Sequence, residues 1–212
     1  MEKKYLNSSL KEYLNDLSAK LPAPGGGSAA AVVSATGVSC LLMVANFTLN
    51  KKGYEKYNDV IKEIIAILSE SQKSVCELID EDVTAYTVLA VAYKLPKNTD
   101  DEIKERKEKI QEALKNSLSV PCKIFEISVA VLTSAERLTE IGNKNLLSDV
   151  ACGVSILRAG IESAKFNIDI NLKFMDDADF KEETKIKYEK TMKGAFEEIE
   201  KIIKKTESGV KL

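Results

Sequence analysis

Histidine is absent from this 212-residue chain, and that absence narrows its chemistry more than anything present. It removes Ser-His-Asp and Cys-His nucleophile systems, histidine-ligated zinc and the commonest general base. Acid-base work must fall to Asp, Glu, Lys, Tyr or water. Cysteine is sparse: Cys40, Cys76, Cys122 and Cys152 lie in apolar surroundings without CxxC spacing and read as reduced core residues, not metal ligands or disulfides. Phosphate-binding loops are missing too. No Gly-Lys-Ser/Thr ending and no GxGxxG occurs at the one glycine-rich stretch, and no strand-like run precedes it.

Nor is there an excess of charge. Lys+Arg number 31 against 33 for Asp+Glu, a net charge of -2, which argues against nucleic acid as a partner. The start Met1 to Leu6 has no apolar signal core. The longest mostly apolar region, Ala29 to Leu49, is interrupted by Ser34, Thr36, Ser39 and Asn46, too polar for a membrane span. The expectation is a soluble, cytoplasmic protein that does not use a membrane. With 44% hydrophobic residues the chain can bury a full core, and residues 1–212 read as a single domain.

What the chain does have is helical periodicity, with no alternating strand pattern. Ser8 or Ser9 caps a first helix to about Leu21. A second follows the glycines to about Asn50. A long apolar stripe from Tyr54 to Tyr93 marks one helix, or two broken near Asp80. Thr99 and Asp100 cap the next, in which Pro121, behind Ser119, kinks the chain or restarts the helix. Val150, Val154, Leu157, Ile161, Ala164 and Ile168 form the cleanest stripe, and an amphipathic helix runs from about Asp177 to Thr206. The pattern predicts an all-α fold, an elongated up-and-down bundle of long helices, with an apolar face left over for a second copy.

Leu21-Pro22-Ala23-Pro24-Gly25-Gly26-Gly27-Ser28 stands at the centre of this organisation. Prolines and glycines cannot continue a helix, and the alanine-rich segment behind them begins one. Backbone N–H groups at Gly25, Gly26, Gly27 and Ser28 are thereby offered to an anion or a polarised oxygen, although a connector that merely caps a buried helix has the same composition. Polar residues break the apolar pattern at three further places. In Asp80-Glu81-Asp82 the spacing from Cys76 and Ile79 turns Asp82 inward, beside Tyr86, while Asp80 and Glu81 need not follow. In Asn143 to Asp149, Asn145 can cap a helix and Asp149 can complement its dipole. Asn167 and Asn171 lie four apart, an arrangement that ordinarily satisfies backbone groups.

In this order and spacing the segments PAPGGGSAAA (Pro22 to Ala31), EDVTAYTVLAVAYKLPK (Glu81 to Lys97), GNKNLLSDVACG (Gly142 to Gly153) and the Asn167/Asn171 pair resemble the cyclodeaminase/cyclohydrolase family. That family comprises methenyltetrahydrofolate cyclohydrolases and the C-terminal domain of formiminotransferase-cyclodeaminase. The resemblance implies an all-helical homodimer acting on a tetrahydrofolate derivative, with no metal and no cofactor beyond that substrate. It implies that Asp82 is the catalytic acid/base, and that Gly25, Gly26, Gly27, Ser28, Tyr86, Lys97, Asn145, Ser148 and Asp149 bind the substrate.

The residues are compatible with such chemistry. Opening a methenyl bridge with water, or closing a formimino group with loss of ammonia, needs one group that takes and returns a proton. A carboxylate in a partly apolar pocket suits the task. A second carboxylate, for which Asp149 is the candidate, can accept the paired N–H donors of a pterin. The folate's carboxylate tail would go to Lys97, Lys94 or the glycine-rich helix start, unless that start faces the reacting oxygen. Three functions follow: methenyltetrahydrofolate cyclohydrolase, formiminotetrahydrofolate cyclodeaminase, or a non-catalytic bundle that binds a folate or a partner helix.

Overall fold

The computed structural model describes residues 3–209; Met1 and Glu2 of the start considered above lie outside them. Among the described residues there are seven α-helices, three short 3-10 turns and no strand. The helices are α1 (Leu10–Ser18), α2 (Gly26–Thr48), α3 (Asn58–Tyr93), α4 (Asp100–Ala130), α5 (Leu132–Ile141), α6 (Leu147–Lys173) and α7 (Ala178–Gly209). Local signals set several of the ends. Ser9 accepts the Glu12 N–H at the start of α1, and Thr99 with Glu102 forms a reciprocal capping box on α4.

Four of the long helices alternate in direction. Asn50 bonds Asn58 across the α2–α3 turn and Gln72 reaches Ser39, so α2 and α3 are antiparallel. Glu81 pairs with Lys123 and the Tyr93 carbonyl takes Arg106, so α3 and α4 are antiparallel too. Gln111 reaches the Phe174 carbonyl and Ser128 reaches Ser34, which sets α4 against α6 and α2. Helix α7 lies along α4 and α5 through Glu126–Lys187 and Glu136–Lys201. The up-and-down arrangement follows from short connections between long helices.

Helix α2 is the axis of the bundle. Its buried face runs through Ala31, Val38, Leu41, Val44 and Ala45, all fully covered. Close approach to α6 depends on two glycines: a Cβ on Gly37 would stand 2.9 Å from the Gly153 carbonyl oxygen, too close for any side chain. Gly26–Thr48 and Asp100–Ile141 are long and apolar enough by composition to cross a membrane, and 56% of each such window is buried against other helices. That is how core helices of a bundle also read.

Two alternatives left open by the sequence are decided, and one expectation changes. Helix α3 is not broken near Asp80 but runs 36 residues without interruption. Pro121 does not restart a helix: α4 continues through it, and the break comes at Val131. A proline forgoes one i to i−4 bond without ending a helix whose neighbours hold it in place. The cysteines form no disulfide, but Cys152 is exposed and the other three are only partly covered, so none is fully in the core.

Candidate active site

The glycine run does not precede α2; it is the first turn of α2. Gly25 is the N-cap and Gly26 and Gly27 are already helical, which puts Ser28 at the third helical position instead of the cap. A glycine N-cap has no side chain with which to satisfy the exposed amides of the first turn. The missing acceptor comes from another helix: Asp82 Oδ2 on α3 takes the Ser28 N–H at 2.8 Å. Among the described residues no acceptor reaches the N–H groups of Gly26 or Gly27. A carboxylate and two free donors therefore share one spot at the positive end of a helix.

Asp82 is fixed there by close packing. A Cβ on Gly27 would fall 2.0 Å from Asp82 Oδ1 and 2.6 Å from its Cγ, so only glycine lets the carboxylate sit where it does. Burial pushes the Asp82 carboxyl above the usual carboxylate range, against the Ser28 N–H, which pulls it down. Behind Ser28 stands Tyr13, 5% exposed, whose hydroxyl reaches Ser28 Oγ at 3.4 Å. Tyr13 falls at the apolar spacing of Leu10, Leu14 and Leu17 on α1, and only its packing against Tyr5 and Ser28 reveals its place behind the carboxylate.

A cavity of about 360 Å³ opens in front of Asp82, between the start of α2, the second half of α3, the middle of α4 and the end of α6. Gly25, Gly26 and Gly27 form one wall with Pro22 and Ala23. Tyr86, Leu89 and Tyr93 continue the wall of α3 beyond Asp82, and Tyr86 and Tyr93 are 42% and 43% exposed. Asn167, Ile170, Asn171 and Phe174 close the side of α6. From α4 come Leu114 and Ser117; Pro121 has no N–H to offer the Ser117 carbonyl, so this turn of α4 is polar beyond what its sequence suggests. A larger cleft of about 580 Å³ lies on the opposite flank of α3, around Asp80, Glu81 and Thr84, and shares none of these groups.

The structure thus brings together Gly25, Gly26, Gly27, Ser28, Asp82 and Tyr86. Asp80 and Glu81 point elsewhere: Asp80 holds the Tyr5 N–H and Glu81 pairs with Lys123. Lys97 stands in the exposed segment between α3 and α4, outside the cavity wall, as does Lys94. Asn145, Ser148 and Asp149 are not at this site within one copy of the chain. Gly26 faces Asn167, whereas Asp149 is close enough to Cys40 to raise its thiol pKa, after burial and Cys152. Between Asp149 and Asn167 lie about 27 Å of helix. Asn145 does not cap α6 either. It sits exposed in a 3-10 turn, and Asn143 accepts its N–H.

A hydrogen-bonded carboxylate with a raised pKa, beside open amide donors and aromatic walls, can exchange a proton with a flat ligand while stabilising charge on an oxygen. The sequence profile of the formiminotransferase-cyclodeaminase family matches residues 9–206. The chain is 37% identical over 177 residues to a methenyltetrahydrofolate cyclohydrolase of Methylorubrum extorquens, covering 84% of this chain and 85% of that one. It is 33% identical over 184 residues to the formimidoyltransferase-cyclodeaminase of Rattus norvegicus, covering 87% of this chain but only 34% of that longer protein. The crystal structure of formiminotetrahydrofolate cyclodeaminase from Thermotoga maritima superposes with a TM-score of 0.79, at 29% identity and 96% coverage of both chains.

Proposed function

Since this chain belongs to the formiminotransferase-cyclodeaminase family, an enzyme family of folate one-carbon chemistry, we propose that it hydrolyses 5,10-methenyltetrahydrofolate to 10-formyltetrahydrofolate. The observation that carries the chemistry is the half-buried Asp82 carboxylate accepting the Ser28 N–H at the start of α2. The identity with a methenyltetrahydrofolate cyclohydrolase favours water as the attacking group. The relatives compared above are named for enzyme activities, which leaves the non-catalytic bundle without support.

In this reading Asp82 takes a proton from water as its oxygen bonds to the methenyl carbon. The tetrahedral adduct then loses its hydroxyl proton, the carbonyl forms, and the bond from that carbon to N5 breaks. Asp82 returns its proton to N5, and one proton is released overall. The free N–H groups of Gly26 and Gly27, adjacent to Asp82, serve the oxygen on which charge develops, not the carboxylate tail. The tail runs outward past Tyr93 towards Lys94 and Lys97.

A second reading, formiminotetrahydrofolate cyclodeaminase, is favoured by the Thermotoga maritima structure. In it the same carboxylate protonates departing ammonia. Incubating the protein with each folate and following the methenyl chromophore separates the two. Loss of absorbance from 5,10-methenyltetrahydrofolate is the expected result; a gain from 5-formiminotetrahydrofolate with release of ammonia would transfer the assignment to the cyclodeaminase.

The distant position of Asn145, Ser148 and Asp149 supports a homodimer. Helices α2 and α6 present a joint outer face with Phe47 and Phe166, 64% and 67% exposed, at its two ends. A second copy laid antiparallel on this face by a two-fold axis would carry its Asn145, Ser148 and Asp149 to the cavity. Asp82→Asn and Asp149→Asn chains, each inactive alone, are then expected to regain about a quarter of wild-type activity when co-folded, because half of the random dimers contain one intact site. Activity no higher than that of the separate variants would remove the shared site.

A further inference from the structure

The α6 wall of the cavity holds two amides whose orientation is fixed by their own helix. Asn167 Nδ2 donates to the Ser163 carbonyl at 2.9 Å, and Asn171 Nδ2 donates to the Asn167 carbonyl at 2.8 Å. A carbonyl only accepts, so each side chain must turn its nitrogen to the backbone, spending one of its two N–H groups there, and its oxygen is left without a partner. Among the described residues no donor reaches either Oδ1. Asn167 Oδ1 and Nδ2 both stand 3.5 Å from where a Cβ of Gly26 would be, so the amide edge lies against the start of α2.

The cavity is therefore polarised. The α2 wall gives N–H donors, and the α6 wall gives amide oxygens with no Lys or Arg among the lining residues. Residues four apart on a helix stand about 6 Å apart, a span matched by the edge of a small heterobicycle. Tyr86 and Phe174 add aromatic surface to the lining. A carboxylate tail would meet two unpaired oxygens here, with no cation and at most the second N–H of each amide to receive it. A ring edge that carries several N–H donors would satisfy both.

We infer that Asn167 and Asn171 are specificity-determining residues whose amide oxygens accept from the amino-pyrimidine edge of the pterin ring. This rests on the folate reading above and gives to α6 the contact that the sequence suggested for Asp149. The pterin then lies along α6 with its donor edge inward, and the one-carbon bridge is directed towards Asp82 and the start of α2.

The test measures Kd by titration calorimetry for tetrahydrofolate and for its 2-desamino-2-methyl analogue, which lacks the exocyclic donor. Wild type should prefer tetrahydrofolate, and Asn167→Leu and Asn171→Leu should each reduce that preference about 10-fold while still binding the analogue. Where leucine disturbs the far-ultraviolet circular dichroism, Asn167→Ala and Asn171→Ala give the same measurement without added bulk. An unchanged preference in folded variants overturns the inference. Turnover of 5,10-methenyltetrahydrofolate and 5-formiminotetrahydrofolate by wild type, measured in parallel, keeps the two ideas apart. An active wild type whose variants keep the preference removes only the role of the amides, whereas a wild type that neither binds tetrahydrofolate nor converts either folate removes the folate reading as well.

Discussion

Asp82→Asn is expected to turn over folate about 10²- to 10⁴-fold more slowly than wild type, and to be the more stable protein at neutral pH. The two effects have one origin. The amide keeps an oxygen for the Ser28 N–H but cannot carry a proton to and from water. Burial raises the carboxyl pKa of folded Asp82 above its unfolded value, so unfolded chains release this proton more readily. The associated stability is fully present below the unfolded pKa of about 4 and is lost as pH rises through the higher folded value. The variant has no such loss. Its unfolding midpoint in urea should match that of wild type in acid and exceed it by a constant margin once the pH lies above the folded pKa. A wild type as stable as the variant at pH 7 would mean that the carboxylate is not desolvated, and equal turnover numbers would remove it from the reaction.

The second large effect belongs to one methyl group. Gly27→Ala places a carbon 2.0 Å from Asp82 Oδ1, and the carboxylate must swing away from the Ser28 N–H or α2 must shift. Loss of turnover comparable to that of Asp82→Asn is expected. Stability should fall less than such a clash suggests, because alanine gains about 1 kcal/mol over glycine in a helix while overpacking costs about 1–3 kcal/mol. The neighbouring glycines serve as controls. A Cβ on Gly26 meets Asn167 at an ordinary 3.5 Å, and one on Gly25 meets nothing within 4 Å. Steady-state kinetics on the three alanine variants should therefore rank Gly27 far below the others. Similar activity in all three would show that the run serves only as a loose hinge.

The order of helices and the inward turn of Asp82 were legible because both are periodic properties. An apolar stripe at a spacing of 3.6 identifies a helix, and the same spacing from Cys76 and Ile79 aims residue 82 at the core. The start of α2 was read too late in the chain, because glycine was taken only as a breaker. What holds Gly26 and Gly27 helical is Asp82, an acceptor 54 residues beyond Ser28, and no local pattern encodes it. The group at Asn145, Ser148 and Asp149 shows the opposite case. Its motif is plain in the sequence, yet within one copy it stands about 27 Å along α6 from Asn167, and a motif by itself does not tell which end of a long helix meets the cavity. Lys97 was read from its place in a motif, while its exposure depends on where α3 happens to stop.

The unbroken rod of α3 has one more consequence. Between Asn58 and Tyr93 there is no joint to absorb a change of register, and each added or deleted residue turns everything beyond it by about 100°. An insertion anywhere from position 58 to 81 would carry Asp82 off its bearing towards solvent or the opposite flank, however harmless the inserted residue. Variation in length among descendants of this chain should therefore collect in the exposed stretch around Pro96, leaving the 36-residue span uniform.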